Sequence, residues 1–469
     1  MYFYLAAIIA FISYAFYKCY IYPLYLSPLR KIPGPPVDNI ILGHHASFLN
    51  KELGEAFTYL LKQYGGIVKY HGLFNEPNIL ISDPKLVQQV LVNRPYEYPK
   101  LFLIPSMAKE FFGGDGILLA EGDTHKRQRK MMSPSFAFTN VKEMVPTFVQ
   151  AGHKLKNIWM KQIGNKKEER ITITVLIPKI TLDVIGHVGF NYEFNSTTSG
   201  SELARAYQTI VDQNCSLLYM ALASYLPFIR KLPTDHNNKY FDSVKVINNV
   251  SEKLIAEQKN SPVRGKDLLS LLIKSNENLP VMTLLLAGHE TTSGALSWVL
   301  YFLAKNPDVQ ERLRKEVLDI LPDRNRHPTI DEIEHLKYLE LPAIRRCTSK
   351  DEIMNGYLIP KNTPLWIPIY AIHHDPLIWG DDADYFNPSR WLDPEVKSRV
   401  TSSNFLPFSA GPKNCLGMKM AQLEFKSILS VLIRNFEFKL VEGFTFKKLL
   451  TGISKPVPGL DLWVSKLDY

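Results

Sequence analysis

One cysteine stands in a short glycine-containing stretch that can present a thiolate to a ligand. Cys415 follows Gly411 and Lys413 and precedes Gly417. Glycine permits tight turns and a close approach of the backbone to a bulky planar ligand. A strongly helical run begins at Met418, so the thiol lies at a helix entrance, where N–H groups and the positive dipole end favour a thiolate. Such a thiolate can bind metal, although a lone cysteine is more often a small buried apolar residue.

An acid and an alcohol stand side by side in an apolar helical run from Val281 to Leu303. Glu290 and Thr291 follow Ala287, Gly288 and a histidine. On the simplest interpretation, the threonine hydroxyl bonds to a preceding carbonyl and the glutamate is a solvated charge. Spacing alone does not assign the pair a chemical role.

The remaining cysteines give no sign of a disulfide framework. The chain has four, Cys19, Cys215, Cys347 and Cys415, which are far apart and lack Cys-x-x-Cys spacing. Structural zinc sites and small disulfide-rich domains both need closer cysteines. Any chemistry at cysteine therefore involves a single thiol.

Composition and charge exclude several classes of protein. The chain has 469 residues, of which 46% are hydrophobic and 22% charged, so it is neither disordered nor collagen-like. Its net charge of +9 suits an anionic membrane face or an acidic protein partner. No basic run with interleaved aromatic residues occurs, so we expect no nucleic acid partner.

The amino terminus predicts a membrane anchor. Residues 1–17 carry no charged side chain. A helix over 2–22 would be about 31 Å long, enough to span a hydrocarbon core. The basic residues Lys18, Arg30 and Lys31 all follow the apolar stretch, which places the bulk of the chain in the cytosol. A cleaved signal peptide is the alternative, but a basic leading segment is lacking.

Between about 50 and 340 the hydrophobic periodicity is mostly helical. The helical segments are 139–162, 201–230, 243–259 and 296–320, and extended segments are 66–72, 78–82 and 352–368. Asn355-Gly356 is a hairpin signal within the last of these. The fold class predicted is mainly α with a small β component.

The stretch around the cysteine resembles the haem loop of the cytochrome P-450 family. Its pattern, Phe-x-x-Gly-x-basic-x-Cys-x-Gly, is matched by Phe408, Gly411, Lys413, Cys415 and Gly417. The resemblance implies haem b, iron protoporphyrin IX, with the Cys415 thiolate as its axial metal ligand. It also implies that Phe408 covers that face of the haem, while Lys413 reaches a propionate or stays on the surface.

Further matches extend over most of the chain from residue 30 onward. Ala287-Gly288-His289-Glu290-Thr291-Thr292 resembles the family's oxygen-activation helix. The resemblance implies that Ala287 and Gly288 make room beside the haem, and that Glu290 and Thr291 are catalytic groups that relay protons to dioxygen. By the same comparison, propionates would be held by His125, Arg129 and Arg346. A basic solvated face is the alternative for the segment around Arg129.

The resemblance implies a domain order and an activity. Residues 2–22 would be a transmembrane signal anchor, 23–37 a Pro-rich hinge and 38–469 the haem-binding catalytic domain. The chain would be a single-pass protein of the endoplasmic reticulum membrane with its catalytic domain in the cytosol. It would insert one atom of dioxygen into a lipophilic small molecule. Electrons would come from a flavoprotein NADPH reductase. By charge alone, the candidates for its docking surface are Lys126, Arg127, Lys130, Lys413 and Lys419, and ordinary solvated side chains are the alternative for each.

The sequence also departs from the family pattern. The family's core lock is a Glu-x-x-Arg pair on a helix, bonded to a later arginine that corresponds to Arg390. Here the residues before 340 run directly into the segment of Arg346, without that helix. Glu202/Arg205 and Glu311/Arg314 show the spacing but match other parts of the fold, and the second is interpreted as a surface pair. Arg390 would then lack its partners.

A second gap lies near residue 280, where the helix bearing Glu290 begins only six residues before Ala287. Both gaps suggest omitted coding segments, by alternative splicing or a faulty gene model. The alternative function is therefore a non-catalytic or misfolded truncated isoform. A third possibility is a haem enzyme that rearranges an oxygenated substrate without dioxygen.

Overall fold

The structure is a computed structural model whose chain divides into two compact units. The residues described are 2–48, 53–101, 108, 109, 112, 114, 116–198, 202–211, 219, 223, 226–260, 269, 270, 281–324, 326, 344–450 and 454–467. Unit 1 comprises Met1–Leu103 and Glu340–Cys415, and unit 2 comprises Ile104–Leu339 and Leu416–Tyr469. Both inferred gaps, near 280 and 340, fall at residues outside this description.

Helices dominate the described residues. The α-helices are α1 (Tyr2–Phe16), α2 (His45–Phe48), α3 (Leu53–Tyr64), α4 (Pro84–Gln88), α5 (Gly122–Met132), α6 (Phe138–Ile163), α7 (Ile173–Phe190), α8 (Glu202–Val211), α9 (Asp235–Asn260), α10 (Val281–Lys305), α11 (Pro307–Ile320), α12 (Ile369–His373), α13 (Pro376–Trp379), α14 (Pro394–Arg399) and α15 (Met418–Asn435). Tyr17–Leu26 and Gln89–Asn93 are π-helical. The 3₁₀ turns are Pro28–Lys31, Leu73–Asn75, Ser133–Phe136, Pro227–Lys231, Pro388–Leu392 and Gly411–Lys413.

The strands form small sheets. They are β1 (Ile67–His71), β2 (Pro77–Ile81), β3 (Glu168–Thr172), β4 (Ile344–Cys347), β5 (Glu352–Met354), β6 (Tyr357–Ile359), β7 (Pro364–Ile367), β8 (Phe436–Leu440), β9 (Lys447–Leu450), β10 (Ser454–Val457) and β11 (Asp461–Lys466). Unit 1 holds a sheet in the order β1-β2-β7-β4 and the hairpin β5-β6. Unit 2 holds the sheet β3-β11-β8 and the pair β9-β10. The mainly α fold with a small β component is confirmed.

Most of the predicted elements are present where the structure describes them. The segments 139–162 and 243–259 lie in α6 and α9. The segment 296–320 is two helices, because Pro307 has no amide hydrogen to continue α10 and instead begins α11. Of 201–230, α8 and a 3₁₀ turn are described and most of the stretch between them is not. The Asn355-Gly356 turn joins β5 to β6, and both residues have the positive φ that a tight hairpin needs.

The amino-terminal segment is helical from Tyr2 to Leu26. By length and composition it could cross a membrane, and its most apolar window has no buried residue. α7 passes the same test of length and composition, but more than half of its window is buried, as expected of a core helix. The observed helix is longer than the predicted anchor of 2–22, because it continues past Pro23 to Leu26 in π-helical turns.

Backbone and side-chain bonds tie the segment after the anchor to unit 1. The Asn75 amide donates to the Cys19 and Ile40 carbonyl oxygens, at 3.0 and 3.1 Å. The Lys69 amide donates to the Pro33 carbonyl oxygen at 2.8 Å. His44 Nε2 lies 2.8 Å from the Pro36 carbonyl oxygen, and its Nδ1 accepts the His71 amide at 2.9 Å. The proline-rich stretch is thus bonded along β1.

In unit 2, α15 lies in the core. Every residue from Leu423 to Asn435 is buried. The helix packs along α6, where a Cβ at Gly152 would lie 3.2 Å from Ile428 and Val431. A helix that is buried all round must find partners for its polar side chains inside the protein.

Arg314 of α11 is buried and bonds to the end of α15. Its guanidinium donates to the carbonyl oxygens of Ile433 and Phe436 at 3.2 Å. It also donates to Gln310 at 3.1 Å and pairs with Glu311. The interpretation of Glu311/Arg314 as a surface pair is therefore wrong, because only the glutamate is exposed. The arginine joins α11 to the turn between α15 and β8.

Replacing Arg314 by methionine should destabilise unit 2. The change leaves two buried carbonyl oxygens without their donor, so we expect about 2–4 kcal/mol less free energy of unfolding. Denaturation of the purified chain measures it. Lys315→Met, at an exposed position on the same helix, should cost no more than about 0.5 kcal/mol. Equal losses for both variants would contradict the assigned role of Arg314.

The stability of unit 1 should depend on pH through His71. Burial lowers the pKa of this imidazole to about 4, partly offset by its bond to the Asn75 carbonyl oxygen. The unfolded chain takes up a proton below about pH 6.5 while the folded chain does not, so stability falls as pH drops from about 6.5 to about 4.

Asparagine at position 71 keeps an N–H donor and does not titrate. We therefore expect His71→Asn to remove on the order of 2–3 kcal/mol of acid destabilisation between pH 7 and pH 4.5. Unfolding temperatures at the two pH values measure the difference. His187→Asn, at an exposed histidine, is the control and should leave the wild-type pH slope unchanged. An equal slope in His71→Asn and wild type would refute the assignment.

Candidate active site

The thiol loop comprises residues 408–417, of which 408–415 belong to unit 1. Two backbone hydrogen bonds close it within that unit. The Cys415 amide donates to the Phe408 carbonyl oxygen at 2.9 Å, and the Asn414 amide donates to that of Gly411 at 3.0 Å. Cys415 is a reduced thiol with an exposed side chain. The loop therefore presents its sulfur outward on a short, hydrogen-bonded turn, three residues before α15 begins.

The two glycines of the loop have different surroundings. Gly411 has φ +69°, and a Cβ there would lie 2.1 Å from the Leu91 carbonyl oxygen. This glycine therefore lets the loop pack on the segment Gln89–Asn93. A Cβ at Gly417 would meet only Phe136, at 3.7 Å. The described residues leave room beside Gly417, and a role for it beside a planar ligand remains a prediction.

Lys413 is buried rather than displayed on the surface. Its Nζ donates to the Tyr98 carbonyl oxygen at 3.4 Å and lies 5.1 Å from the centre of the Tyr96 ring. Tyr98 in turn bonds to the buried carboxylate of Glu352. The surface alternative for Lys413, and its place in a reductase-docking surface, are therefore wrong. The charge of Lys413 alone suggested a surface position, because the sequence does not show that the residue is buried among these groups.

Arg346 lies on β4, beside the same segment that holds Lys413. It is buried, and its Nη1 donates to the Arg345 carbonyl oxygen at 2.8 Å. Strand β4 continues to Cys347, whose amide donates to the Pro99 carbonyl oxygen at 3.0 Å. The residues 96–100 thus connect the thiol loop with the strand of Arg346 inside unit 1.

Arg390 has partners, contrary to the expectation that it would lack them. Its guanidinium donates to the carbonyl oxygens of Trp379, Asp382 and Tyr385 at 2.7–3.1 Å. The Asp382 carboxylate lies 3.3 Å away. A single loop therefore satisfies this charge locally. These partners could not be predicted from the sequence, because every residue has a backbone carbonyl whatever its side chain.

In unit 2, the acid and the alcohol of α10 lie in different environments. Ala287 is exposed and Thr291 half-buried, and the Thr291 hydroxyl donates to the Ala287 carbonyl oxygen at 2.8 Å. Glu290 is only 2% exposed. The threonine thus makes the backbone bond considered from sequence, whereas the interpretation of Glu290 as a solvated charge is wrong.

Gly288 is needed for helix packing. A Cβ at this position would lie 2.6 Å from the Ile185 side chain of α7. The small residue thus lets α10 and α7 approach closely. Ala287 has a small and exposed side chain. The prediction that a small residue leaves room beside a ligand therefore applies to Ala287 before Gly288.

Two buried groups beside this helix were missed by sequence reasoning. His289 Nε2 lies 3.2 Å from Glu290 Oε1, and both side chains are buried. Glu424 of α15 is buried and bonded to Thr292 of α10, and burial raises the pKa of its carboxyl well above its ordinary value. For both His289 and Glu424, the sequence contained one indication of a buried polar group, which is a polar residue within an apolar helical run.

Helix α5 carries the basic residues around Arg129. His125 is buried and Arg129 half-buried. Lys126, Arg127 and Lys130 are exposed. The interpretation as a uniformly solvated basic face is therefore wrong for His125, which belongs to the buried side of the helix.

One apolar cluster in unit 2 brings several of these segments together. Met132 at the end of α5 is its buried centre. Packed on it are Leu284, one turn before Ala287, and Leu416, the residue after Cys415. The cluster therefore joins the helix of Arg129, the helix of Glu290 and Thr291, and the residue that follows the thiol.

Comparison with known proteins matches this arrangement to one family. The family model described as Cytochrome P450 matches residues 33–462. Cytochrome P450 monooxygenase 205 of Postia placenta is 30% identical over 92% of this chain and 90% of its own length. Cytochrome P450 monooxygenase sphH of Aspergillus fumigatus is 31% identical over 92% of this chain and 86% of its own. Cytochrome P450 monooxygenase 128 of Postia placenta is 30% identical over 94% and 92%.

The matched range includes the thiol loop, α5 and α10, and it covers both units. The chain therefore belongs to the cytochrome P450 family, as an oxidoreductase of the monooxygenase class.

Proposed function

We propose that this chain is a membrane-anchored haem-thiolate monooxygenase that inserts one atom of dioxygen into a lipophilic small molecule. Electrons come from a separate flavoprotein NADPH reductase. The observation that carries the proposal is the exposed thiol of Cys415 on a closed backbone loop. Within unit 2, its chain neighbour Leu416 packs with Met132 of α5 and Leu284 of α10.

The residues present fit haem. An exposed thiolate is a suitable donor for iron, and the open position beside Gly417 leaves space for a flat ligand. Arg346 in unit 1 and Arg129 in unit 2 supply permanent positive charge for carboxylates, and His125 precedes Arg129 by one helical turn on α5. Lys413 bonds to Tyr98, so its role in our proposal is to fix the loop, with Phe408 at the loop's other end.

When bound, the haem supplies the iron centre at which dioxygen is activated. The chain's own residues then have defined tasks. Cys415 would hold the haem iron through its thiolate, on a loop closed by the hydrogen bond from the Cys415 amide to the Phe408 carbonyl oxygen. Thr291 presents a hydroxyl at the half-buried face of α10, and Glu290 holds a carboxyl on its buried side. These two groups are proposed to pass protons to the reaction site.

We place the chain in the endoplasmic reticulum membrane as a single-pass protein with a cytosolic catalytic domain. The proposed division is an anchor over 2–22, a Pro-rich segment over 23–37 and a catalytic domain over 38–469. Support comes from the exposed apolar helix Tyr2–Leu26 and from the basic residues that follow it.

The proposed reductase surface is limited to exposed basic residues. Lys126, Arg127 and Lys130 on α5 and Lys419 on α15 meet this condition. Positive charge on these residues would attract an acidic flavoprotein and raise its rate of association. Lys413 is excluded because it is buried.

The omitted-segment hypothesis remains part of the proposal. The alignment with Cytochrome P450 monooxygenase 205 runs over 497 positions. That exceeds the 469 residues of this chain, so the relative contains residues without a counterpart here. The partners of Arg390 remove one argument for a non-catalytic isoform, because this arginine does not depend on the missing pair.

Replacing the thiol tests the proposed function. The full-length chain, reduced and exposed to carbon monoxide, should give a strongly red-shifted Soret band if the Cys415 thiolate holds the haem iron. Cys415→Ser should abolish the band. Cys347→Ser, at a half-buried cysteine on β4, should keep it. A wild-type chain without the band would favour the non-catalytic isoform instead.

The origin of the gaps is tested at the level of the transcript. We expect the major transcript to contain additional coding sequence at codons 280 and 340. Sequencing across both joins measures this. Finding both joins, as written in this chain, in the major product would refute the hypothesis and make this chain the natural protein.

A further inference from the structure

The buried position of Glu290 raises a question of proton supply. This carboxyl is 2% exposed, so bulk water does not reach it directly. A buried carboxylate is costly unless another group compensates its charge or gives it a proton. Its partner must therefore be found among the side chains around α10.

His289 is that partner, and its bonds define where its protons are. Nδ1 lies 2.7 Å from the Leu285 carbonyl oxygen. A carbonyl oxygen only accepts, so Nδ1 must carry a hydrogen. Nε2 lies 3.2 Å from Glu290 Oε1. Because Nδ1 already carries its hydrogen, Nε2 and the Glu290 carboxyl group are the two positions that can hold a further proton.

Neighbouring helices hold the imidazole in this position. The ring of Tyr207, on α8, meets that of His289 edge to face, with 4.9 Å between centroids. The Thr181 hydroxyl of α7 donates to the His289 carbonyl oxygen at 3.0 Å. The His289 ring is therefore packed against Tyr207, and its backbone is bonded to α7.

The titratable neighbours of the pair are few among the described residues. Tyr207 faces it from α8, and both burial and the charge of Glu290 raise the pKa of that phenol well above its ordinary value. From α7 the Thr181 hydroxyl bonds to the His289 carbonyl oxygen, and this hydroxyl does not titrate. Glu424 of α15 bonds to Thr292, two residues after Glu290. Tyr207 therefore keeps its hydrogen, and the exchangeable proton belongs to His289 and Glu290.

We propose that His289 is the proton-holding partner of Glu290, with the shared proton resident on Nε2 and passed through the carboxyl group when Glu290 delivers it. The inference rests on the proposed role of Glu290 in proton relay. Delivery of one proton leaves a neutral imidazole beside a carboxylate, and a proton from solvent restores the pair. His289 acts through Glu290 and is a positioning residue.

A spectroscopic experiment tests where the proton is held, without need for turnover. The full chain is labelled with ¹³C at glutamate carboxyl groups and reconstituted in nanodiscs. Glu290→Gln as a single change should remove no infrared band of a protonated carboxyl group, because the proposal places the proton on His289. His289→Phe keeps a ring against Tyr207 but removes the base, so a new protonated-carboxyl band should appear. The band should be missing from the double variant His289→Phe/Glu290→Gln.

A second experiment follows protons during NADPH consumption, with a supplied flavoprotein reductase. Reduction of dioxygen to hydrogen peroxide takes two electrons and two protons, and reduction to water takes four of each. Loss of proton supply should raise the peroxide released per NADPH by roughly threefold to tenfold in His289→Phe. His289→Gln keeps a hydrogen bond to Glu290 without a titrating base, so it should behave like the phenylalanine variant.

Matched variants separate this role from a structural one. Adding His289→Phe to Glu290→Gln should cause no further peroxide release, because both changes affect one route. Ser297→Ala, a buried hydroxyl on the same helix, should match wild type. Additive effects, restoration by glutamine, or no new infrared band would overturn the inference. Loss of the carbon monoxide band in wild type would instead refute the proposed function, whatever the infrared result.

Discussion

The bond between the Cys415 amide and the Phe408 carbonyl oxygen is the interaction on which the proposed chemistry depends. It closes the thiol loop and leaves the sulfur exposed at its end. Gly411 packs this loop on the Leu91 backbone at a distance that no side chain allows. Lys413 fixes it to Tyr98. A reactive thiol therefore rests on contacts made by backbone and by one buried lysine, all within unit 1.

Two largely buried arginines among the described residues are compensated mainly by backbone carbonyls. Arg314 bonds two carbonyl oxygens near the end of α15, and Arg390 bonds three in a single loop. Arg314 thereby joins α11 to the end of α15, whereas Arg390 fixes the conformation of one loop. Loss of these carbonyl partners would leave a buried charge uncompensated, which is costly.

The helices, the strands and the reactive loop could be predicted because their signals are local. Periodicity marked α6 and α9, and Asn355-Gly356 marked a turn. The partners of charged residues could not, since a carbonyl oxygen at a distant position has no signature in the sequence. A surface or solvated position was an alternative for Lys413 and Glu290 and was the interpretation for Arg314, and all three residues are buried. Gly288 was assigned to a ligand, whereas its neighbour is Ile185 of another helix.

The bonds along the proline-rich stretch have a mechanical consequence. Carbonyl groups of Pro33 and Pro36 are held by β1 and by His44, and Asn75 grips the chain at Cys19 and Ile40. Because Cys19 precedes Pro23, these bonds hold the chain to unit 1 on both sides of that proline. Movement of the helical segment Tyr2–Leu26 would therefore be transmitted to unit 1 through these bonds.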